Sequence, residues 1–331
     1  MAPEAASSPR LMNVEIMTTC NLRCSHCKLQ HARNAPARAF MSMERFSGIL
    51  DAIRPLVMDA EEFMFSTAEP LLHPDLFRMM DLVADVNPRM TFPIQTNGML
   101  VDETVLENLR TRTVPWISFA LDGDSAEIAE SYKRGFDFHR AVDNIVKTRR
   151  ILGGHVTIRS VFVAHKANIN TLSRYLLFCK RLGIDAVDVN GLFCFTEDQA
   201  LNALYERDAD IAEVDAIFQH ARHVAEQLGI CLQLPTLRKK QLGCEWARAF
   251  NIDYSGSISP CPLLSNQYGY YFGKERVESS GISFGNIDKQ PPFDIWLSPT
   301  FRDFRAYLLA GHLPLACSRC PEGHGVICSN R

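Results

Sequence analysis

The chain has 331 residues, of which 47% are hydrophobic and 22% are charged, and its formal net charge is -3. This length suffices for a full hydrophobic core and predicts about two domains, while the slightly negative charge argues against nucleic acid or an anionic membrane as the main partner. No apolar run approaches the roughly 20 residues of a membrane-spanning helix, so we predict a cytoplasmic protein.

Short apolar runs alternate with longer amphipathic runs from residue 12 to residue 230, which is typical of strand-helix units around a parallel sheet. We predict six strands, at residues 12–19, 62–67, 91–96, 116–121, 157–163 and 186–192. We predict six helices, at residues 42–56, 74–86, 103–112, 138–152, 169–182 and 213–228. This α/β periodicity leaves a partial barrel and a doubly wound open sheet as alternatives, and in both folds ligands bind at the carboxyl ends of the strands.

Three cysteines follow the first predicted strand with the spacing C-x3-C-x2-C, at Cys20, Cys24 and Cys27. Thiolates are the usual ligands of iron-sulfur clusters, and three of them leave one iron of a four-iron cluster without a protein ligand. Structural zinc, the alternative, usually has paired C-x-x-C motifs or added histidines. Disulfides are less favoured, because the first ten residues lack the apolar run of a signal peptide.

This cysteine motif after a first strand resembles the signature of the radical S-adenosylmethionine (SAM) enzymes. The resemblance implies a partial (β/α)6 barrel and a [4Fe-4S] cluster whose open iron is chelated by SAM. It implies reductive cleavage of SAM to a 5'-deoxyadenosyl radical, which removes a hydrogen atom from the substrate. It further implies an external one-electron reductant such as flavodoxin or ferredoxin.

The segment Ser66-Thr67-Ala68-Glu69-Pro70 is similar to the Gly-Gly-Glu-Pro element of that family. Both glycines are replaced here, and glycine permits backbone angles that threonine and alanine resist. The resemblance implies that Thr67, Ala68 and Glu69 contact the amino group of SAM. An ordinary turn before a helix is the alternative.

Polar residues at the ends of the next strands are also similar to family elements that contact SAM. The resemblance implies that Asn97, Ser118 and Asp122 bind SAM and that His26 stands near the adenine, where the family usually has an aromatic residue. Arg159 has the bidentate fork that pairs well with a carboxylate, and its alternative is an outward salt bridge. For His26 the alternative is a side chain that faces solvent.

A second cysteine set follows the strand-helix repeats. Cys244, a spaced Gly256, Cys261 and a later Cys317-x-x-Cys320 resemble the auxiliary cluster domains called SPASM and twitch. A full SPASM motif would continue with a cysteine where this chain has Val326. The resemblance therefore implies a twitch-type domain, in which one auxiliary [4Fe-4S] cluster is bound by the four cysteines just named. A zinc ribbon is the alternative.

The predicted organisation is a leader at residues 1–10, the barrel at 11–235 and the auxiliary cluster domain at 236–331. Cys328 is left as a structural thiol or an alternative ligand. Cys194, after the sixth predicted strand, is a candidate hydrogen donor to a substrate radical, although a buried cysteine more often fills the core.

An auxiliary cluster without an open iron can accept an electron, so the resemblance implies a radical dehydrogenase, or an epimerase if a thiol quenches the radical. The cluster motif begins at Cys20, which leaves no room for an N-terminal leader-binding domain. We therefore expect a small polar substrate such as a sugar or an aminocyclitol. The alternatives are a peptide or protein maturase that crosslinks, epimerises or oxidises a residue, and a non-catalytic metal-binding module.

Overall fold

Strands and helices alternate along the chain. The computed structural model describes residues 8–33, 38–65, 68–204, 212–236 and 244–326. The strands are β1 (Leu11–Val14), β2 (Arg23–Cys24), β3 (Glu62–Met64), β4 (Ile94–Thr96), β5 (Trp116–Ala120), β6 (Lys133–Arg134), β7 (Thr157–Ala164), β8 (Ala186–Gly191), β9 (Cys231–Gln233), β10 (Ala249–Ile252), β11 (Ser257–Ser259), β12 (Tyr268–Phe272), β13 (Glu275–Ser279) and β14 (Gly285–Asn286). The helices are α1 (Met43–Val57), α2 (Leu76–Val86), α3 (Glu103–Arg110), α4 (Ala126–Glu130), α5 (Phe138–Leu152), α6 (Leu172–Arg181), α7 (Glu197–Asn202), α8 (Ala212–Leu228), α9 (Pro292–Leu297) and α10 (Pro299–Leu309).

The strands form two five-stranded sheets that continue each other. Their orders are β14-β11-β10-β1-β3 and β4-β5-β7-β8-β9, and all strands of the second sheet are parallel. A parallel bridge from Glu62 to Thr91 joins β3 to the segment before β4. The six predicted strands therefore follow one another in chain order as a partial barrel. A doubly wound sheet would reverse that order, so this alternative is wrong.

The predicted elements are present, most with small shifts at their ends, but β1 ends at Val14, five residues before its predicted end at residue 19. β4 begins at Ile94, three residues later than predicted, because Pro93 has no N–H to donate to the ladder. α6 begins at Leu172, since residues Ile169–Thr171 form a 3-10 turn. α1 begins after Ser42, whose side chain accepts a hydrogen bond from the backbone N–H of Arg45 at 3.1 Å.

The auxiliary segment is joined to the barrel through the backbone. β10 pairs in parallel with β1, and β11 returns antiparallel to β10. Gly256 supplies the turn of this hairpin with a φ of +81°, a left-handed conformation that glycine adopts readily. The sequence predicts a separate auxiliary domain after the barrel, whereas this hairpin adds to the barrel sheet, so the two share a sheet. Residues 237–243, next to the predicted boundary, lie outside the described residues.

The end of the described chain packs across the end of β8. The N–H of Gly191 donates to the carbonyl of Val326 at 2.6 Å, and the N–H of Thr236 donates to the carbonyl of Gly325 at 3.0 Å. A Cβ on Gly191 would lie 2.6 Å from the side chain of Val326, so this contact requires glycine. None of the described helices is long and apolar enough to cross a membrane.

Candidate active site

The first cysteine set lies in the loop between β1 and α1. Cys24 belongs to β2, which pairs with β6 so that Cys24 stands opposite Lys133. The N–H of Cys27 donates to the carbonyl of Cys24 at 3.1 Å and closes a tight turn. Each of the thiols of Cys20 and Cys24 has its pKa raised in part by the charge of Cys27. The fold therefore brings together the three cysteines that the sequence separates by three and two residues.

Burial raises the pKa of all three thiols, to about 11 for Cys20 and about 12 for Cys24. A buried thiolate is costly unless a cation compensates it, and the iron of a cluster is such a cation. The described cysteines form no disulfides, and no three described Cys, His, Asp or Glu side chains converge on a single metal ion. A soft sulfur donor set in a partly buried loop fits an iron-sulfur cluster.

Three buried polar atoms have no hydrogen-bond partner among the described residues: Nδ1 of His26 in this loop, Oγ of Ser118 in β5 and Nε2 of His165 after β7. An unsatisfied buried polar atom costs about 1–3 kcal/mol, so these atoms fit a polar ligand. His26 and Ser118 are predicted SAM contacts, whereas His165 is not. The rings of both histidines pack edge-on against Tyr132, with centroid distances of 5.8 and 4.7 Å. His26 is partly buried and packs against Tyr132, which precedes β6, so its side chain does not simply face solvent.

Glu69 is 2% exposed and connects the ends of β3 and β4. Its carboxylate accepts hydrogen bonds from the hydroxyl of Thr96 at 2.8 Å and from the N–H of Asn97 at 2.7 Å. Burial raises the pKa of Glu69 to about 7, and these donors oppose the shift. Glu69 therefore holds the turn after β4, which is a positioning contact in addition to the SAM contact expected from the sequence.

Asn97 extends this connection to the first cysteine. Its side-chain amide donates to the carbonyl oxygen of the Asn21 side chain at 2.8 Å and approaches Cys20 Sγ at 3.8 Å. The carbonyl oxygen of the Asn97 side chain accepts from the N–H of Met99 at 2.9 Å. The contacts of Asn97 thus position the cysteine loop, and its predicted contact with SAM stays a prediction.

Asp122 forms a buried ion pair with Lys133, in which both side chains are 2% exposed and the charged atoms are 2.5 Å apart. Its other oxygen accepts from the N–H of Val163 at 2.9 Å, and Lys133 also donates to the carbonyl of Ala120. Both carboxylate oxygens of Asp122 are therefore engaged by protein. Lys133 stands opposite Cys24, and its charge opposes the rise in the pKa of this thiol that burial causes. The pair therefore supports the cysteine loop, and the predicted contact of Asp122 with SAM stays a prediction.

Arg159 pairs with Asp188 on the neighbouring strand β8, with distances of 2.9 and 2.5 Å from two guanidinium nitrogens to the two carboxylate oxygens. The guanidinium also lies 5.9 Å from the ring of Trp116. Both hydrogen bonds of the guanidinium thus go to a protein carboxylate. The carboxylate that Arg159 pairs with in this structure is that of Asp188, in a salt bridge that is partly buried rather than outward, and a contact of Arg159 with the cofactor stays a prediction.

For two predicted SAM contacts, Ala68 and Thr67, the described part of the structure gives no polar contact that bears on SAM binding. Ala68 packs against the hydrophobic core directly before Glu69. Thr67 lies outside the described residues, so its predicted contact stays a prediction.

The four auxiliary cysteines come together around Glu322. Cys244 and Cys261 flank the β10-β11 hairpin, and the charge of Glu322 raises the pKa of all four thiols. Burial is the larger cause, and it raises the pKa of Cys317 to about 11 and that of Cys320 to about 12. Glu322 is buried, and its carboxylate lies 3.9 Å from Cys244 Sγ. The donor set therefore fits an auxiliary cluster, while Cys328 lies outside the described residues.

Cys194 is 1% exposed and belongs to the hydrophobic core. Its thiol donates to the carbonyl of Leu192 at 3.4 Å, and its own carbonyl accepts from the N–H of Tyr271 at 2.7 Å. These contacts fit core filling and a link between β8 and β12. They lend no support to the proposed hydrogen donor.

Sequence reasoning missed Lys133, His165 and Glu322. Glu322 could have been noticed as a carboxylate two residues after Cys320. Lys133 carries no such signal, because it reaches the site through the pairing of β2 with β6, and each of these strands has only two residues.

Two family models match this chain: the radical SAM superfamily over residues 14–169, and the iron-sulfur cluster-binding domain SPASM over residues 244–321. The chain belongs to the radical SAM superfamily. A [4Fe-4S] cluster and SAM are therefore its cofactors, and a SPASM-type domain with auxiliary iron-sulfur chemistry follows the barrel. The second match ends before Val326, so a single auxiliary cluster stays a prediction.

Relatives of this radical SAM enzyme align along most of its length. It is 27% identical to a tungsten-containing aldehyde ferredoxin oxidoreductase cofactor-modifying protein of Pyrococcus furiosus, over 94% of this chain and 87% of the relative. It is 26% identical to an AdoMet-dependent heme synthase of Methanosarcina barkeri, over 88% and 82%. It is 24% identical to a PqqA peptide cyclase of Granulibacter bethesdensis, over 94% and 79%.

A solved structure of SuiB from Streptococcus suis bound to S-adenosylmethionine superposes on this chain with a TM-score of 0.65 at 16% identity. The match covers 91% of this chain and 68% of SuiB. This similarity shows the fold of the radical SAM enzyme.

We expect Lys133→Met to lower the free energy of unfolding by about 3–5 kcal/mol, because it leaves Asp122 buried without its cation. The double variant Asp122→Asn/Lys133→Met should recover part of this loss. Urea unfolding of the apoprotein measures the free energy of unfolding of each variant. As a control, Arg150→Ala breaks an exposed pair with Glu103 and should cost less than about 1 kcal/mol. A loss in Lys133→Met no larger than in this control would contradict the buried pair.

Glu69 predicts a pH dependence of the apoprotein. Its pKa is raised from 4.5 to about 7 by burial, so the folded state binds more protons than the unfolded state between these values. The wild type should therefore lose stability relative to Glu69→Gln as the pH rises from about 4.5 to about 7, by roughly 3 kcal/mol in total. Urea unfolding at several pH values measures this difference. Glu127→Gln, an exposed carboxylate, should keep the wild-type profile, and parallel profiles for all three proteins would refute the shift.

Proposed function

We propose that this radical SAM enzyme modifies a residue of a peptide or protein, in place of the small polar metabolite expected from the sequence. The observation that supports this most is the alignment with a PqqA peptide cyclase, which covers 94% of the chain. The reaction itself, whether a crosslink, an epimerisation or an oxidation, belongs to the same proposal.

An open cavity beside the auxiliary cysteines supports a peptide substrate. It has a volume of about 360 Å³ and is lined by Phe193, Tyr268, Tyr270 and the segment of residues 315–321. Strand β13 borders it and, among the described residues, pairs with β12 only. A cavity lined by aromatic and charged side chains next to a strand edge suits an extended peptide, which pairs through the backbone and places alternate side chains in pockets.

The residues of the site would bind the first cluster, contact SAM and position the cysteine loop in this reaction. When bound, the first cluster supplies the electron that cleaves SAM. We propose that Cys20, Cys24 and Cys27 hold it and that Ser118 and His26 donate or accept hydrogen bonds to SAM, since both have buried unpaired atoms. Glu69 positions the loop through Asn97. An external one-electron reductant such as flavodoxin or ferredoxin is part of the proposal.

The auxiliary cysteines would hold a second cluster with no open iron. Cys244, Cys261, Cys317 and Cys320 supply four sulfur ligands, which is the full number for a four-iron cluster. Such a cluster can take up the electron that the substrate radical loses when it is oxidised. It cannot bind the substrate at iron. This favours an oxidative change of the residue.

Modification of a cofactor or another small molecule is the second candidate. It is favoured by the names of two relatives, a cofactor-modifying protein and a heme synthase, which align over 94% and 88% of this chain. The same barrel and auxiliary cysteines would serve this reaction, so only the substrate distinguishes the two candidates.

Cysteine substitutions test the cluster assignments. In anaerobically reconstituted protein, Cys20→Ala, Cys24→Ala and Cys27→Ala should each abolish formation of 5'-deoxyadenosine, because each removes an iron ligand. Substituting all four auxiliary cysteines with alanine should lower the iron content to that of one cluster. Cys231→Ala, an exposed cysteine outside both sets, is the matched control and should retain wild-type iron and cleavage. Zinc in place of iron would contradict the auxiliary assignment.

The substrate class is tested by incubating the reconstituted wild type with SAM, dithionite and short peptides encoded next to its gene. We expect a mass change in one peptide residue, read by tandem mass spectrometry, with formation of 5'-deoxyadenosine. The Cys24→Ala variant controls for chemistry that does not depend on the cluster. Turnover of a tetrapyrrole or another small molecule while every peptide stays unmodified would favour the second candidate.

A further inference from the structure

Lys28 spans the distance between the two cysteine sets. It directly follows Cys27, and its Nζ donates a hydrogen bond of 2.6 Å to the carbonyl of Pro262, the residue after Cys261. One side chain therefore ties the loop of the first cysteines to the loop that carries an auxiliary cysteine.

The ammonium of Lys28 lies among four acidic groups. These are the carboxylates of Glu15 and Asp253 and the thiols of Cys27 and Cys261. Glu15 comes from the end of β1, and its carboxylate also accepts from the N–H of Tyr254 at 3.0 Å. Burying an ammonium costs several kcal/mol unless opposite charges compensate it, and Glu15 after β1 and Asp253 in the hairpin turn supply two carboxylates. These carboxylates, together with the thiolates once the cysteines bind iron, favour the charged form of Lys28.

Further contacts of the same loop keep this arrangement in place. The N–H of Arg33 donates to the carbonyl of Gln267 at 2.8 Å, and its side chain pairs with Glu278 at 2.9 Å. The ring of His31 stacks on Phe195 with a centroid distance of 4.2 Å. The loop is thus attached to the auxiliary segment at several points, of which Lys28 is the one adjacent to both cysteine sets.

We propose that Lys28 is a positioning residue shared by the two clusters, which fixes the two cysteine loops against each other and raises the reduction potential of both clusters. A nearby positive charge stabilises the reduced form of a cluster, which carries one more negative charge. This inference rests on the proposed function in one respect, namely that both cysteine sets hold iron-sulfur clusters.

The test is a redox titration of the anaerobically reconstituted holoenzyme, followed by electron paramagnetic resonance. In Lys28→Gln both midpoint potentials should shift to more negative values. Lys28→Arg keeps the charge and should restore values near the wild type. Lys180→Gln, an exposed lysine at the end of α6, is the matched control and should leave both potentials unchanged.

Glu322→Gln separates a shared effect from a local one. Glu322 faces the four auxiliary thiols, so its substitution should leave the potential of the first cluster at the wild-type value. A change in both potentials with Lys28→Gln, against no change of the first potential with Glu322→Gln, supports the shared role.

An unchanged potential of either cluster in Lys28→Gln, with the iron content of the wild type, overturns the proposal. If Lys28→Gln does not retain two clusters, Glu15→Gln replaces it: removing this negative charge should raise both potentials, and unchanged values overturn the proposal equally. Failure of the proposed function gives a different result. In that case the wild type leaves every peptide unmodified, while the reduction potentials of both clusters can still be measured. A wild type with only one cluster signal overturns the shared role together with the auxiliary assignment.

Discussion

The structure depends on keeping thiols buried where a cation can compensate them. Burial is the largest cause of the raised pKa for every cysteine of the two sets. A thiolate in such a position is stable only beside positive charge, so iron binding and the folded form of these loops support each other. The loops have little regular structure of their own, and the barrel must hold them in place from outside.

Buried polar contacts at the carboxyl ends of the strands provide this support. Glu69 binds the turn after β4, and Asn97 in that turn reaches Asn21 beside the first cysteine. The pair of Asp122 with Lys133 supports the loop from the other side, through the pairing of β2 with β6. Such buried networks are stable only when every member is satisfied. Their dense pairing gives Glu69, Asn97 and Asp122 positioning contacts to the loop, besides the SAM contacts predicted for them.

The sequence predicts the barrel better than it predicts the site. Apolar periodicity reports which face of each element is buried, and it placed the six strands and helices within a few residues. It does not report which polar partner a side chain meets after folding. Arg159 has the chemistry to bind a carboxylate, but β7 and β8 place Asp188 within its reach. Lys133 and His165 could not be predicted, because a two-residue strand and an unpaired ring nitrogen leave no pattern in the sequence.

The backbone fixes the separation of the two cysteine sets. β10 adds to β1 in parallel, and a buried polar ladder crosses the same strands: Asn13 donates to Asn251, and Asn251 donates to Ser259 at 2.5 Å. Ser259 in turn donates to the carbonyl of Cys261 at 3.2 Å. A continuous sheet with buried cross-strand hydrogen bonds resists hinge motion, because bending it would leave several polar groups unsatisfied. Adaptation to a substrate therefore falls to the cavity and the β12-β13 hairpin, which lie outside that sheet, while the two clusters would keep a constant spacing for electron transfer.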